Sequence, residues 1–147
     1  MGSTAQGLFS PATGGPPPTP DATACTDAVL VVEDDPTLGI LMEHILGRAG
    51  RAVMRADDGQ SALRLLAERG DEIALVIADC HLPDMDGQEL CEQLRRQRPG
   101  VPVMLTSGRD HGALAAALAG GGPTEFLAKP FFPGEVVRRV NALLAAG

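Results

Sequence analysis

Lysine is almost missing from this chain of 147 residues: eleven arginines supply the positive charge, and a single lysine, Lys129, remains. The two are not equivalent, because Lys is a compact ammonium on a flexible stem and Arg a broad planar fork. A crowded pocket that fits one cation against an oxyanion favours the ammonium, so Lys129 marks a place to look. Also missing is any apolar run near the roughly 20 residues that a membrane helix needs. No basic segment followed by an apolar stretch opens the chain, so a secretory signal is not expected. The expectation is a cytoplasmic protein without a membrane partner. The formal charge of −7 leaves few clustered cations, which excludes a nucleic-acid surface from the reading. Arg95, Arg96 and Arg98 do group, as do Arg138 and Arg139, but near predicted helix ends, where solvated cations complement the helix dipole. Cysteine is scarce: Cys25, Cys80 and Cys91 are odd in number and form no CxxC pair. That excludes a zinc site and leaves reduced thiols as the simplest reading. His44, His81 and His111 lack ligand spacing, so no histidine metal site is expected.

What is present fits one soluble domain, with 44% hydrophobic and 21% charged residues. Residues 1–27, rich in Gly, Pro, Ser, Thr and Ala, bury too little apolar surface to fold and read as a disordered leader or linker. The domain is expected over 28–147. Val29 to Val32 is a wholly apolar, mostly β-branched run, as for a strand covered on both faces. Pro36 opens a helical pattern with Leu38, Leu41, Met42, Ile45 and Ala49 on one face, ending near Gly50. A strand over 51–56 follows, then a helix over 59–69 through Ala62, Leu65 and Leu66. Ile73 to Ala78 is a third strand, leading to a helix through Leu90, Cys91 and Leu94. Val101 to Leu105 is a fourth strand, and an Ala-rich helix is expected over 110–119. A short strand, Glu125 to Ala128, precedes a helix from Pro133 that turns Val136, Val137, Val140 and Leu143 inward. Five strands alternating with five helices imply an α/β fold of parallel βα units with right-handed crossovers.

The strand ends carry the chemistry. Glu33, Asp34 and Asp35 follow the first strand, Asp79 the third, Thr106 and Ser107 the fourth, and Lys129 the fifth. Open α/β sheets bind ligands outside the carboxyl ends of their strands, so these residues converge on one edge. Crowded carboxylates repel unless their pKa values rise or a cation joins them. An oxygen-only set selects a hard ion such as Mg²⁺. Such an ion beside a hydroxyl and an ammonium forms a receptacle for a phosphoryl group, with Asp79 as nucleophile. Plainer roles exist for each: Asp34 and Asp35 as caps of the helix opened by Pro36, Asp79 as a turn residue, Thr106 as a strand-end hydroxyl, Phe126 as core. Asp84 and Asp86 read as solvated loop acids.

Four segments, Val29–Pro36, Asp79–Gly87, Pro102–Gly108 and Phe126–Phe131, together resemble the receiver domain of bacterial two-component response regulators. The resemblance spans about residues 28 to 146. It implies a flavodoxin-like, doubly wound (βα)5 fold: a five-stranded parallel sheet in the order 2-1-3-4-5 with helices on both faces. It further implies that Asp79 takes a phosphoryl group from a histidine kinase or histidine phosphotransfer protein, with Mg²⁺ as cofactor and no separate substrate turned over. Asp34, Asp79 and the backbone carbonyl of His81 would ligate the metal, and Glu33 would act through a metal-bound water. Thr106 and Lys129 would hold the phosphoryl group, Phe126 would switch inward with Thr106, and the bond before Pro130 would be cis. The partners implied are the kinase, a downstream protein and a second copy through the fourth and fifth helices.

Two other functions are weighed. Haloacid-dehalogenase-type phosphatases also use a nucleophilic Asp, but follow it two residues on with a second Asp, where this chain has His81. A pseudo-receiver that only binds partners would have lost the acceptor or the metal acids, yet Asp34, Asp79, Thr106 and Lys129 are all present. No effector domain follows the last helix before Gly147, so the expectation is a stand-alone regulator or the receiver of a hybrid kinase, the latter also suggested by Thr106-Ser107-Gly108.

Overall fold

The computed structural model describes residues 28–108 and 122–146. Apolar runs form five strands, β1 Ala28–Val32, β2 Val53–Ala56, β3 Ile73–Asp79, β4 Val103–Ser107 and β5 Thr124–Ala128. They pair in parallel in the order β2-β1-β3-β4-β5, the 2-1-3-4-5 sheet that the resemblance implies. The α-helices among the described residues are α1 Pro36–Arg48, α2 Gly59–Arg69, α3 Gly87–Gln97 and α4 Pro133–Ala146. The expected leader with Cys25, the helix over 110–119 with His111, and so half of the expected homodimer surface lie outside the described residues.

Alternation along the strands builds two cores. Leu30, Val32, Val76, Ala78 and Leu105 point to one face and pack against Ala62, Leu63 and Leu66 of α2 and Leu90, Cys91 and Leu94 of α3. Val29, Val31, Leu75, Ile77 and Met104 point to the other and meet Met42, Ile45 and Leu46 of α1 and Val136, Val140 and Leu143 of α4. Each Val, Leu, Ile or Met among them contributes about 1.5–3 kcal/mol on full burial. The sheet is thus clamped on both faces, and its carboxyl edge is left for other uses.

The buried stripe of α1 differs from the predicted face. Met42, Ile45 and Leu46 are buried, whereas Leu41 is 44% exposed. At about 100° per residue Leu41 lies about 90° from the centre of that stripe, and Ala49, also exposed, falls past the last helical residue. Strands β2 and β4 each start two residues later than predicted, because Arg51-Ala52 and Val101-Pro102 precede the ladder.

Two arginines expected in solvent are structural. Arg95 donates to Pro123 O at 2.7 Å, Thr124 Oγ1 at 2.9 Å and Val101 O at 3.3 Å. Arg98 donates to Gly70 O at 2.8 Å and to Ile73 O. Both lie in the last turn and cap of α3, beside the amino ends of β3 to β5, where loop carbonyls need donors. Arg139 is likewise engaged, with Glu125 at 2.8 Å and Phe126 O at 3.1 Å.

The observed stripe on α1 sets a contrast that urea denaturation can read. Leu46→Ala should cost about 2–5 kcal/mol, as a large-to-small change in a closed core does. Leu41→Ala should stay within about 0.5 kcal/mol.

Candidate functional site: an acidic pocket around one lysine

Four strand ends assemble the pocket. Glu33 and Asp34 follow β1, Asp79 ends β3, Thr106 lies in β4, and Lys129 follows β5. Asp79 and Thr106 are register partners across the β3–β4 pair. Cys80 N–H donates to Thr106 O at 2.9 Å and Lys129 N–H to Ser107 O at 2.8 Å, so the ladder continues into the site and fixes its backbone. The Lys129–Pro130 peptide bond is cis.

One ammonium serves several carboxylates here. Lys129 Nζ donates to Asp79 Oδ2 at 3.1 Å and lies 3.7 Å from Glu33 Oε1. The other Asp79 oxygen, Oδ1, accepts the His81 N–H at 3.0 Å. Glu33 Oε2 accepts the Asp35 N–H at 3.2 Å. Glu33 and Asp79 are each only 8% exposed, and Thr106 3%. Burial pushes the Glu33 carboxyl up to about 7; the Asp79 charge pushes the same way, while the Asp35 N–H and the Lys129 ammonium pull against it. One ammonium does not neutralise this cluster. One oxygen from each of Glu33, Asp34 and Asp79 lies within 4.8 Å of the others, the grouping of candidate metal-ligating side chains among the described residues. An all-oxygen set with surplus negative charge, partly open at exposed Asp34, fits a hard divalent cation that keeps some of its water.

The neighbouring acids divide their roles in a way that the sequence left open. Asp35, not Asp34, caps α1, taking the Thr37 N–H at 2.9 Å, and Asp34 is left to the pocket. Asp84 and Asp86, expected as solvated loop acids, are both helix caps. Asp86 accepts the Glu89 N–H of α3 at 2.8 Å. Asp84 reaches across to α2 and accepts the Gly59 and Gln60 N–H groups, each at 2.9 Å. Spacing alone shows a local cap such as Asp86, whose carboxylate serves the third residue on; it cannot show one that bonds 25 residues back.

Phe126 is partly buried against the α2/α3 core and is the register partner of Leu105, next to Thr106. Cys80, beside Asp79, is buried with its thiol pushed up to about 11 by burial first and by the Asp79 charge second. It is an inert sulfhydryl at neutral pH. Among the described residues Cys80 and Cys91 are both free, and no helix there is long and apolar enough to cross a membrane.

A parallel doubly wound sheet with acids, a hydroxyl and one ammonium at its carboxyl edge is an anion-receiving architecture, and comparison with known proteins defines which. A model of the response regulator receiver domain family matches residues 29–141. The chain belongs to that family. It is 38% identical over 121 residues to the transcriptional regulatory protein TcrA of Mycobacterium tuberculosis, covering 81% of this chain and 46% of that protein. The chain spans about half the length of the curated relatives it matches. A crystal structure of a putative response regulator from Chloroflexus aurantiacus superposes with a TM-score of 0.71 at 34% identity, covering 81% of this chain and 98% of that one. A receiver domain protein from Clostridium thermocellum superposes with a TM-score of 0.76 over 82% of this chain and 95% of that one, and at 22% identity it shows the fold.

Two outcomes check the electrostatics. Folded Glu33 holds its proton to about pH 7 rather than the usual 4.5. Between those values the folded state binds the extra proton, so stability falls as pH rises through that window. Urea midpoints of metal-free protein should decline from about pH 4.5 to 7, and Glu33→Gln should flatten the slope. In the second test Asp35→Ala should cost about 1 kcal/mol through loss of a cap, while Asp34→Ala leaves the metal-free thermal midpoint level or higher. A marked drop for Asp34→Ala would make that residue structural.

Proposed function

We propose that the domain accepts a phosphoryl group on Asp79 from the phosphohistidine of a histidine kinase or histidine phosphotransfer protein and signals its phosphorylation to a downstream partner. The observation that supports it best is the Asp79 carboxylate itself: buried, held at Oδ1 by the His81 N–H, and met at Oδ2 by the chain's only lysine. In the transfer an Asp79 oxygen bonds to phosphorus as the bond from phosphorus to the histidine nitrogen breaks, and that nitrogen keeps the bonding pair. Lys129, already between Asp79 and Glu33, can pass its ion pair to a phosphoryl oxygen without leaving the pocket. Thr106, one strand over, offers a hydroxyl to another. Asp34, Asp79 and the His81 carbonyl would hold Mg²⁺, with Glu33 acting through one of its waters. Bound there, the ion would offset charge on the phosphoryl oxygens.

Phosphorylation is read out through Thr106 and Phe126. Drawing the Thr106 hydroxyl toward a phosphoryl group vacates space beside Phe126, whose strand position next to Leu105 lets it follow. Exposed apolar side chains, Ile40 at 57% and Phe132 at 77%, sit in α1 and just before α4, on chain that leaves the acidic edge, and supply surface for a docking partner. The domain promotes its own phosphorylation and turns over no separate substrate. Relatives named as transcriptional regulators raise a DNA-directed output; with a charge of −7, DNA contact is not assigned to this domain's own surface.

Acetyl phosphate with Mg²⁺ should add one phosphoryl group, labile to hydroxylamine, and beryllofluoride should bind in its place. Asp79→Asn should lose both responses. Lys129→Arg should be impaired in spite of its charge, because the wider guanidinium does not fit between the carboxylates. Labelling that survives Asp79→Asn, or a wild type that responds to neither reagent, would favour a module that only binds partners.

A further inference from the structure

The loop that carries the acceptor's backbone partner is closed on itself and pinned at its tip to a different helix. Its two limbs are joined by Gly87 N–H to Cys80 O at 2.8 Å, by Leu82 N–H to Met85 O at 3.3 Å, and by a bridge between His81 and Asp86. At the tip both Asp84 oxygens bind α2, at Gly59 N–H and Gln60 N–H. Next to Asp84, the buried Met85 side chain lies where a Cβ on Gly59 would be, 2.5 to 2.8 Å from the methionine's outer atoms. The absence of a side chain at Gly59 lets Met85 seat against α2; an added Cβ would make the end of the Met85 side chain shift. α2 already has its own cap, Asp58 to the Ser61 N–H at 2.8 Å. That cap leaves the Gly59 and Gln60 N–H groups to Asp84, which thereby joins the first turn of α2 to the loop.

We infer that Asp84 is a positioning residue for the phosphoryl acceptor. By tying the β3–α3 loop to the first turn of α2, seated against Gly59 through Met85, it holds His81 where its N–H fixes the Asp79 carboxylate and where its carbonyl would join the metal acids. The inference rests on the receiver reading. A loop that spans only 80 to 86 and is fastened at both limbs has little slack, so release of its tip displaces His81. Conversely, filling the acceptor pulls on α2 through the same two hydrogen bonds. Groups that orient a site's ligands typically influence metal affinity or activity 10–100-fold, and Asp84, acting through the loop, belongs at the lower end.

The test compares wild type, Asp84→Ala and Asp84→Asn, the last keeping one acceptor oxygen. Mg²⁺ affinity, the rate of acyl phosphate formation from acetyl phosphate, thermal midpoint and amide NMR spectra are measured well below the midpoint. Expected are about tenfold weaker Mg²⁺ binding and slower labelling for Asp84→Ala, partial recovery in Asp84→Asn, and a shifted His81 amide resonance already without metal. In wild type, beryllofluoride should shift the Gly59 and Gln60 amides, and in Asp84→Ala it should not. A lower midpoint with unchanged Mg²⁺ affinity, labelling and His81 resonance would make Asp84 a helix cap only and overturn the inference. Failure of the wild type to bind Mg²⁺ or be labelled overturns the receiver reading, and the inference with it; failure confined to the Asp84 comparison leaves that reading standing.

Discussion

The ion pair between Lys129 and Asp79 is the constraint around which the site is arranged. Two buried carboxylates, Glu33 and Asp79, share one ammonium, at 3.7 and 3.1 Å. A single positive charge cannot satisfy both, and the surplus shows as the Glu33 carboxyl pushed up to about 7 by burial and by its neighbour. A site left short of positive charge has a standing preference for a cation and a poor tolerance of further anions until one binds. On the proposed function, that is how a pocket of acids would receive a phosphoryl group. The lysine must be compact, since an arginine fork would have to displace one carboxylate to reach the other.

The fold supplies this arrangement by taking care of everything else. Alternate residues of β1, β3 and β4 fill two separate cores, so the sheet is rigid and its strand ends are fixed to each other by the ladder. Backbone bonds from Cys80 to Thr106 and from Lys129 to Ser107 extend that ladder past the strands into the pocket. At the opposite edge Arg95 and Arg98 bind loop carbonyls at the amino ends of the strands. Rigidity at one edge and charge imbalance at the other are the division of labour of an open α/β sheet.

Much of this was legible from residues alone. Val29–Val32 and Ile73–Ala78 are apolar at every position because both sheet faces are covered, and that pattern identified the central strands and, through them, the residues at their ends. What escaped needed distance information. Asp84 looks like any loop acid, and only the approach of the β3–α3 loop to α2 makes it a cap for Gly59 and Gln60. Arg95 and Arg98 resemble a solvated helix end until the strand termini are seen beside them. Leu41 matched the helical period, but one period admits several faces, and only the sheet decides between a stripe centred on Met42 and Ile45 and one that reaches Leu41. Asp34 and Asp35 were interchangeable as caps in the sequence; the geometry gives the cap to Asp35.

The central claim is that the phosphoryl group resides on Asp79. Borohydride reduces an acyl phosphate of aspartate to homoserine, which marks the residue that carried it. After treatment with acetyl phosphate and Mg²⁺, reduction and peptide mass spectrometry should find homoserine at position 79 and nowhere else. Homoserine at Asp34 or another acid, or none in a sample shown to be phosphorylated, would contradict the claim.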